Sequence, residues 1–280
     1  MAGWLAALVI LAVAGREAMR ELDAFQVMEL RSLVGMLMFY PIVAASGGVA
    51  AMGTSRPLQH IIRNVVHYGA QYGWFVALAL IPLAQVVALE FTMPLWTVLI
   101  AAAFLGERMT TIKGLAVVLG LIGVIVIVRP ALGEVVPGQL VALVVAAGFA
   151  VSVTMVKSLT RTEATVAIIF WMLVVQSVLG LVPALLVWRW PSIGGWAWIV
   201  VIAFCGTFSH YCMARAMQHA EATTVVPMDF LRVPLTAIAG WLVYAERIDL
   251  LTVTGAAMIV AANLMNLREV QMRDRARTTS

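Results

Sequence analysis

Apolar runs long enough to cross a bilayer follow one another along nearly the whole of this 280-residue chain. A helix needs about 20 apolar residues to span the hydrocarbon, where its backbone groups must bond within the segment. Ten such runs can be drawn, near 2–20, 25–45, 61–81, 84–105, 112–129, 137–157, 165–188, 195–215, 222–244 and 250–268. The connectors are short and leave no room for a domain outside the membrane. The runs are continuous and do not alternate, so a β-barrel does not fit. With 63% hydrophobic and 11% charged residues, a globule of this size could not hide its apolar surface from water, which argues against a soluble enzyme. The expected fold class is an all-α membrane protein with ten transmembrane helices.

Basic residues orient the chain. With ten helices, the N-terminus, every second loop and the C-terminus share one side. That side holds Arg56, Arg63, Arg108, Lys113, Lys157, Arg161, Arg215, Arg268, Arg273, Arg275 and Arg277, against Arg16, Arg20, Arg129, Arg189 and Arg247 on the other. The excess places both termini in the cytoplasm. The net charge of +4 therefore reads as topology and not as nucleic-acid binding, and the basic tail 269–280 as a headgroup anchor.

The first run is uncharged only from Ala2 to Gly15, with Arg16, Glu17, Arg20 and Glu21 behind it. Either that end lies in a wet cavity or at the interface, or the chain begins further upstream. It lacks the basic n-region of a signal peptide. Cys205 and Cys212 share a helix face two turns apart, too far for a disulfide, and read as free thiols. His210 alone supplies no metal site.

The chain repeats itself. VVALEFTMPLWTVLIAAAFLGER (86–108) lies over VVPMDFLRVPLTAIAGWLVYAER (225–247) at an offset of 139. Glu90 falls on Asp229, Phe91 on Phe230, Glu107 on Glu246 and Arg108 on Arg247, while Pro94 and Pro234 miss by one position. HYGAQYGWFVALA (67–79) is echoed by HYCMARAMQHA (210–220). Five spans per copy is an odd number, so the second copy enters the membrane from the opposite face, as in many secondary transporters.

PLAQVVALEFTMPLWTVLIAAAFLGERMTTIKGLAVVLGLIGVIVIVRP (82–130) resembles the first repeat of the EamA type within the drug/metabolite transporter superfamily, and DFLRVPLTAIAGWLVYAER (229–247) resembles its second. The resemblance runs from about 25 to 268. It implies two inverted-topology five-helix repeats, 1–130 and 137–268, around a central cavity, and alternating access for small metabolites. The first helix departs from the family pattern, being shorter and more charged at its end.

Glu90 and Asp229 sit about six residues into their spans from opposite faces, roughly 9 Å deep at 1.5 Å per residue. A charge there costs several kcal/mol unless it is paired or wet, so both are read as substrate- or proton-binding. Arg232, one turn from Asp229, can pair with it structurally or hold a substrate carboxylate. Glu29 and Arg31 point in different directions and read as an anchor or a cavity rim; the resemblance implies an arginine early in this helix, which Arg31 matches. Tyr68, Gln71 and Tyr72 share a face, and His210 echoes the His67–Tyr68 pair. Aromatic walls with hydrogen-bonding tips suit an amphipathic solute, or are simple packing. Pro94, Pro227 and Pro234 free a backbone carbonyl and let a helix bend, or fix a static kink. Gly114, Gly120, Gly123 and Gly255 permit close helix contact.

These features describe a secondary active transporter, read as an exporter, of amino acids, amines or aromatic metabolites across a bacterial inner membrane. The alternatives are an intramembrane enzyme using the two carboxylates or a passive channel. No P-loop or His-Glu-x-x-His motif occurs, so neither ATP hydrolysis nor another enzymatic activity is expected. The implied partners are the solute, the bilayer and protons as coupling ion, with a homodimer left open. Cofactor, metal and nucleic acid are not expected.

Overall fold

The computed structural model describes residues 2–104, 110–129, 135–219, 232–247 and 249–278. All regular structure among them is helical: α1 Ala2–Ala18, α2 Ala24–Ala45, a 3-10 turn Val49–Met52, α3 Pro57–Leu80, α4 Leu83–Glu90, α5 Met93–Phe104, α6 Thr111–Val128, α7 Pro137–Leu159, α8 Thr165–Leu186, α9 Ile193–His219, α10 Arg232–Tyr244 and α11 Leu250–Thr278. Local signals set several ends. The Asp23 side chain accepts from Phe25 N at the start of α2, and Thr110 does the same for Lys113 N at α6, satisfying donors that the first turn leaves free. Arg129, with φ 55°, closes α6 in the left-handed conformation.

Seven stretches among the described residues are long and apolar enough to cross a membrane: Ala24–Ala45, Leu83–Ile100, Thr111–Val128, Pro137–Leu159, Thr165–Leu186, Ile193–Ala216 and Leu250–Arg268. The other three expected spans fall short for different reasons. α1 has only 17 residues. α3 has the length but interrupts its apolar run with Gln59, His60, Arg63, Asn64, His67 and Gln71. α10 is described over 13 residues, because 220–231 lie outside the described set.

Two compact units divide the chain, Met1–Ala79 with Val151–Ala220, and Leu80–Ala150 with Glu221–Ser280. The first comprises α1, α2, nearly all of α3, the end of α7, α8 and α9. The second comprises α4, α5, α6, most of α7, α10 and α11. Each unit thus mixes helices from both sequence halves. The offset of 139 carries α2 onto α8, α5 onto α10 and α6 onto α11, while α4 falls on 222–229, outside the described residues. In the first unit α2 packs on α8; in the second, α4 packs on α10 and α6 on α11.

These partners run antiparallel. Along α2, Glu29 faces Gly180, Arg31 bonds Gln176 and Gly35 faces Leu173, so advancing on one helix means retreating on the other. In the same way Gly123 meets Ile259 and Gly255, Ile127 meets Gly255, and Arg129 pairs with Asp249. Leu83 N, in the first turn of α4, donates to Glu246 Oε2, just past the end of α10, at 3.1 Å. Glu90, the last residue of α4, meets Arg232, the first of α10.

The α6–α11 crossing brings backbones together. A Cβ on Gly123 would lie 2.7 Å from the Gly255 carbonyl oxygen, and one on Gly255 would lie 2.6 Å from that of Gly123. Gly120 faces the Leu95 side chain instead, and Gly114 has nothing within 4 Å, so the close contact expected there is not made.

The apolar faces point outward. On α3, Leu58, Ile61, Ile62 and Val65 are exposed while His60, Arg63, Asn64, His67 and Gln71 are buried. Leu37, Val144 and Leu186 are exposed as well. Water would penalise such surface and lipid would not. The charges closing α1 find partners: Arg16 Nε donates to the Leu78 carbonyl at 2.5 Å, Arg20 pairs with Glu17, and Glu21 accepts from Ser192 N and Oγ.

Candidate functional site

In the second unit a helix breaks at a charge. α4 stops at Glu90, Phe91 and Thr92 form a turn, and α5 restarts at Met93. Pro94 sits in the first turn of α5, where it has no N–H to give back to the Glu90 carbonyl. The Thr92 hydroxyl caps Leu89 O at 2.7 Å, and Asn263 Nδ2 from α11 donates to Phe91 O at 2.8 Å. Two carbonyls beside the break, those of Leu89 and Phe91, are thus met by side chains, which suits a break in an apolar span.

Glu90 Oε1 accepts from Arg232 Nη2 at 2.8 Å, with side chains 13% and 8% exposed. The Arg232 guanidinium also lies over the Phe91 ring, 5.1 Å from its centroid. Desolvation strengthens both the ion pair and the cation–π contact. Arg232 thus meets a carboxylate 142 residues away in sequence. Pro234 lies two residues further along α10, on the wall of an apolar cavity of about 600 Å³ that Ile238, Trp241 and Ala257 also line. Asp229 and Pro227 lie outside the described residues.

The first unit has a polar interior. On α3, His60, Arg63, Asn64, His67, Tyr68 and Gln71 recur at spacings of three and four and are all buried. His67 Nδ1 and Ser152 Oγ are 3.2 Å apart, and the His67 and His210 rings meet edge-on at 4.9 Å. Arg31 Nη2 donates to Gln176 Oε1 at 2.7 Å, and Arg63 Nη1 to Asn64 Oδ1 at 2.7 Å. Glu29 Oε2 would touch a Cβ on Gly180 at 2.5 Å, and Tyr68 Oη would approach the same point at 3.0 Å, so both oxygens converge over a bare stretch of α8. Both Glu29 oxygens, Tyr68 Oη and the Gln71 amide are buried without a hydrogen-bond partner.

Of the residues singled out in the sequence, the first unit holds Arg31, Tyr68, Gln71 and His210, and the second holds Glu90, Arg232, Pro94 and Pro234. Two readings change. Glu29 and Arg31 are 2% and 3% exposed, so they belong to the interior and not to a rim or anchor. Arg63, counted above as a topology charge, is 2% exposed; its place on the buried polar face of α3 draws it inside. Gln176, Asn64 and Asn263 carry contacts that sequence reasoning passed over. The three-and-four spacing of polar residues along α3 was a readable signal for the first unit. No local pattern announces Asn263.

Comparison with known proteins bears on this arrangement. The EamA-like transporter family matches the chain twice, over residues 2–129 and 136–268. The chain is 27% identical to an S-adenosylmethionine uptake transporter of Rickettsia prowazekii, over 87% of this chain and 82% of that protein. It is 30% identical to a riboflavin transporter of Brucella anthropi, over 85% of each, and 29% identical to a pseudopaline exporter of Pseudomonas aeruginosa, over 88% and 87%. A crystal structure of 19% sequence identity superposes with a TM-score of 0.68 over 97% of this chain and 96% of that one, which speaks for the fold alone.

Proposed function

The chain belongs to the EamA-like transporter family, a multi-pass membrane transporter of small metabolites, and from that premise we propose a secondary active carrier of ten transmembrane helices in two inverted repeats, working by alternating access. The antiparallel packing of helices 139 positions apart supports the inversion, since copies that enter the membrane from opposite faces place equivalent helices head to tail. The repeats are 1–130 and 137–268. The membrane is a bacterial inner membrane, with both termini and the tail 269–280 on the cytoplasmic side, as the positive-inside bias favours.

One observation carries the mechanism: the Glu90–Arg232 pair closes on the interruption between α4 and α5. A buried pair this close stays shut until something competes for one partner. A solute or a proton that engages Glu90, with Asp229 as its counterpart in the second repeat, releases Arg232 and lets the broken helix change its bend at Pro94. Within the first unit, taken by itself, Tyr68, Gln71, His210 and Arg31 are the candidates for polar contact with a solute. The relatives named above handle S-adenosylmethionine, riboflavin and pseudopaline, solutes that combine ring systems with polar groups. The substrate of this chain is of that amphipathic kind, including amino acids, amines and aromatic metabolites. A carrier of this sort is reversible, so the gradients across the membrane set the direction of net flux.

The test is counterflow in proteoliposomes, screened over amino acids, amines and vitamins at two pH values and repeated with Glu90→Gln. Saturable exchange lost in the variant is expected. Exchange that persists unchanged in Glu90→Gln removes that residue from the mechanism, and non-saturating flux would indicate a channel.

A further inference from the structure

The first unit buries two guanidiniums whose charge its described carboxylates do not meet. Arg31 on α2 and Arg63 on α3 are almost fully buried. The acceptors they engage are the neutral amide oxygens of Gln176 and Asn64. Arg63 Nε is buried with no acceptor. On α9, a Cβ at Gly206 would lie 3.7 Å from both Cδ and Nη1 of Arg31, so the helix beside that guanidinium carries no side chain. Glu29, two residues from Arg31 on α2, turns its Oε2 toward Gly180, which Tyr68 Oη also approaches.

Among the described residues no carboxylate bonds either guanidinium; Glu29 and Glu163 reach Tyr68 and His60, the neighbours of Arg31 and Arg63. Arg31, Arg63, His67 and His210 lie within electrostatic reach of one another, and none of the four is an acid. Desolvating a charge costs several kcal/mol per ion, and like charges buried together add to it. The second unit shows the ordinary solution, a carboxylate against a guanidinium, in Glu90 and Arg232. A planar guanidinium offers a fork of donors that matches two oxygens of an oxyanion.

We infer that Arg31 and Arg63 form an anion subsite that takes a carboxylate or phosphate group of the transported solute, with Gln176 and Asn64 holding the two guanidiniums in place. The subsite rests on the transporter reading given above and narrows it to solutes that carry an oxyanion.

Binding can be measured apart from transport. The purified full-length chain is melted in detergent at constant ionic strength while chloride is exchanged for formate, benzoate or methyl phosphate. A saturable rise in melting temperature is expected, about 3 °C or more for each tenfold increase above half-saturation. The benzoate and methyl phosphate arms separate carboxylate from phosphate preference, and a rise with either supports the subsite. Arg63→Met and Arg31→Gln are expected to lose the rise. Arg31→Lys, which keeps the charge but not the fork, is expected to weaken it at least threefold. Without ligand, Arg63→Met is expected to melt no lower than the parent, because it removes a buried charge that no described carboxylate bonds; a merely structural arginine would lower the melting point when replaced. Oxyanions that act no differently from chloride, or that act equally on Arg63→Met, overturn the subsite. Counterflow of solutes that lack an oxyanion would do the same and leave the transporter reading intact. Oxyanion binding with no exchange of any solute would sink that reading and leave the subsite standing.

Discussion

Three glycines on one helix have three different surroundings, which makes α6 a graded test of its packing. Gly114→Ala places its methyl group in open space, with nothing within 4 Å. The exchange should gain up to about 1 kcal/mol from helix propensity alone. Gly120→Ala meets the Leu95 side chain, which can change rotamer, so the gain and the clash should leave a loss of no more than about 1 kcal/mol. Gly123→Ala meets the Gly255 carbonyl at 2.7 Å and the Ile259 amide nitrogen at 3.2 Å. Both are backbone, and backbone cannot step aside without parting the helices. Overpacking of this kind costs about 1–3 kcal/mol. Gly255→Ala should cost the same, since it presses on Gly123 from the other side. The double variant should cost less than the two singles together, because the first methyl already separates the helices for the second. The assay is reversible unfolding in mixed micelles, followed by tryptophan fluorescence. Equal stability for Gly114→Ala and Gly123→Ala, or full additivity in the double variant, would refute the close crossing of α6 and α11.

Glu90→Gln takes one carboxylate from the buried Arg232 and should lose stability toward the low end of about 3–5 kcal/mol, since Glu90 is not fully enclosed; a Glu90→Gln/Arg232→Gln double variant should recover part of the loss in the same unfolding assay. Pro94→Ala returns an N–H that can bond the Glu90 carbonyl and join α4 to α5. Counterflow should then slow in its maximal rate with half-saturation little changed, and an unaltered rate counts against a role for the break. Hydrogen bonding by Arg129, with help from Thr252, holds the Asp249 carboxyl down at about 2, below its ordinary 3.8, and the hydrogen bonds from Ser192 lower Glu21. Both groups lie outside the spans. A depressed carboxyl contributes stability that is complete above its unfolded value and fades as pH falls toward the folded one. Melting temperature should therefore drop between about pH 4 and pH 2, more shallowly in Arg129→Gln. The Asp249 side chain is 44% exposed, so added salt should shrink the effect; a melting curve indifferent to Arg129→Gln would remove that ion pair from the balance.

The helix pattern was legible because hydrocarbon accepts little else: long apolar runs and short connectors leave few alternatives. The offset of 139, read from a handful of matched polar residues, places α2 on α8 and α6 on α11, pairs that pack together in the structure. Pairing of charges was less legible. Arg232 has an acid three residues away in sequence, Asp229, which lies outside the described residues. Its contact with Glu90 was not readable from spacing, because it comes from the antiparallel packing of α4 and α10, which brings the end of one to the start of the other. Sequence spacing reports what a helix offers along its own face and nothing of what the partner helix brings.

Arg63 shows the same limit from the other side. Counting basic residues treats every arginine as a signpost for the aqueous interface, and for most of the chain that is sound physics. The count cannot know that Arg63 shares a face with His60, Asn64, His67 and Gln71, a face that is turned inward while Leu58, Ile61, Ile62 and Val65 meet the lipid. In water, an amphipathic helix buries its apolar stripe and solvates the polar one. In a bilayer the preference reverses, so a polar stripe at spacings of three and four within an apolar run marks the inside of the protein. By that rule, Arg63 should have been read with its neighbours on α3 before it was counted with the loops. The same reversal is why an arginine buried beside neutral amides suits an anionic ligand: lipid on the outer face offers no water to balance it.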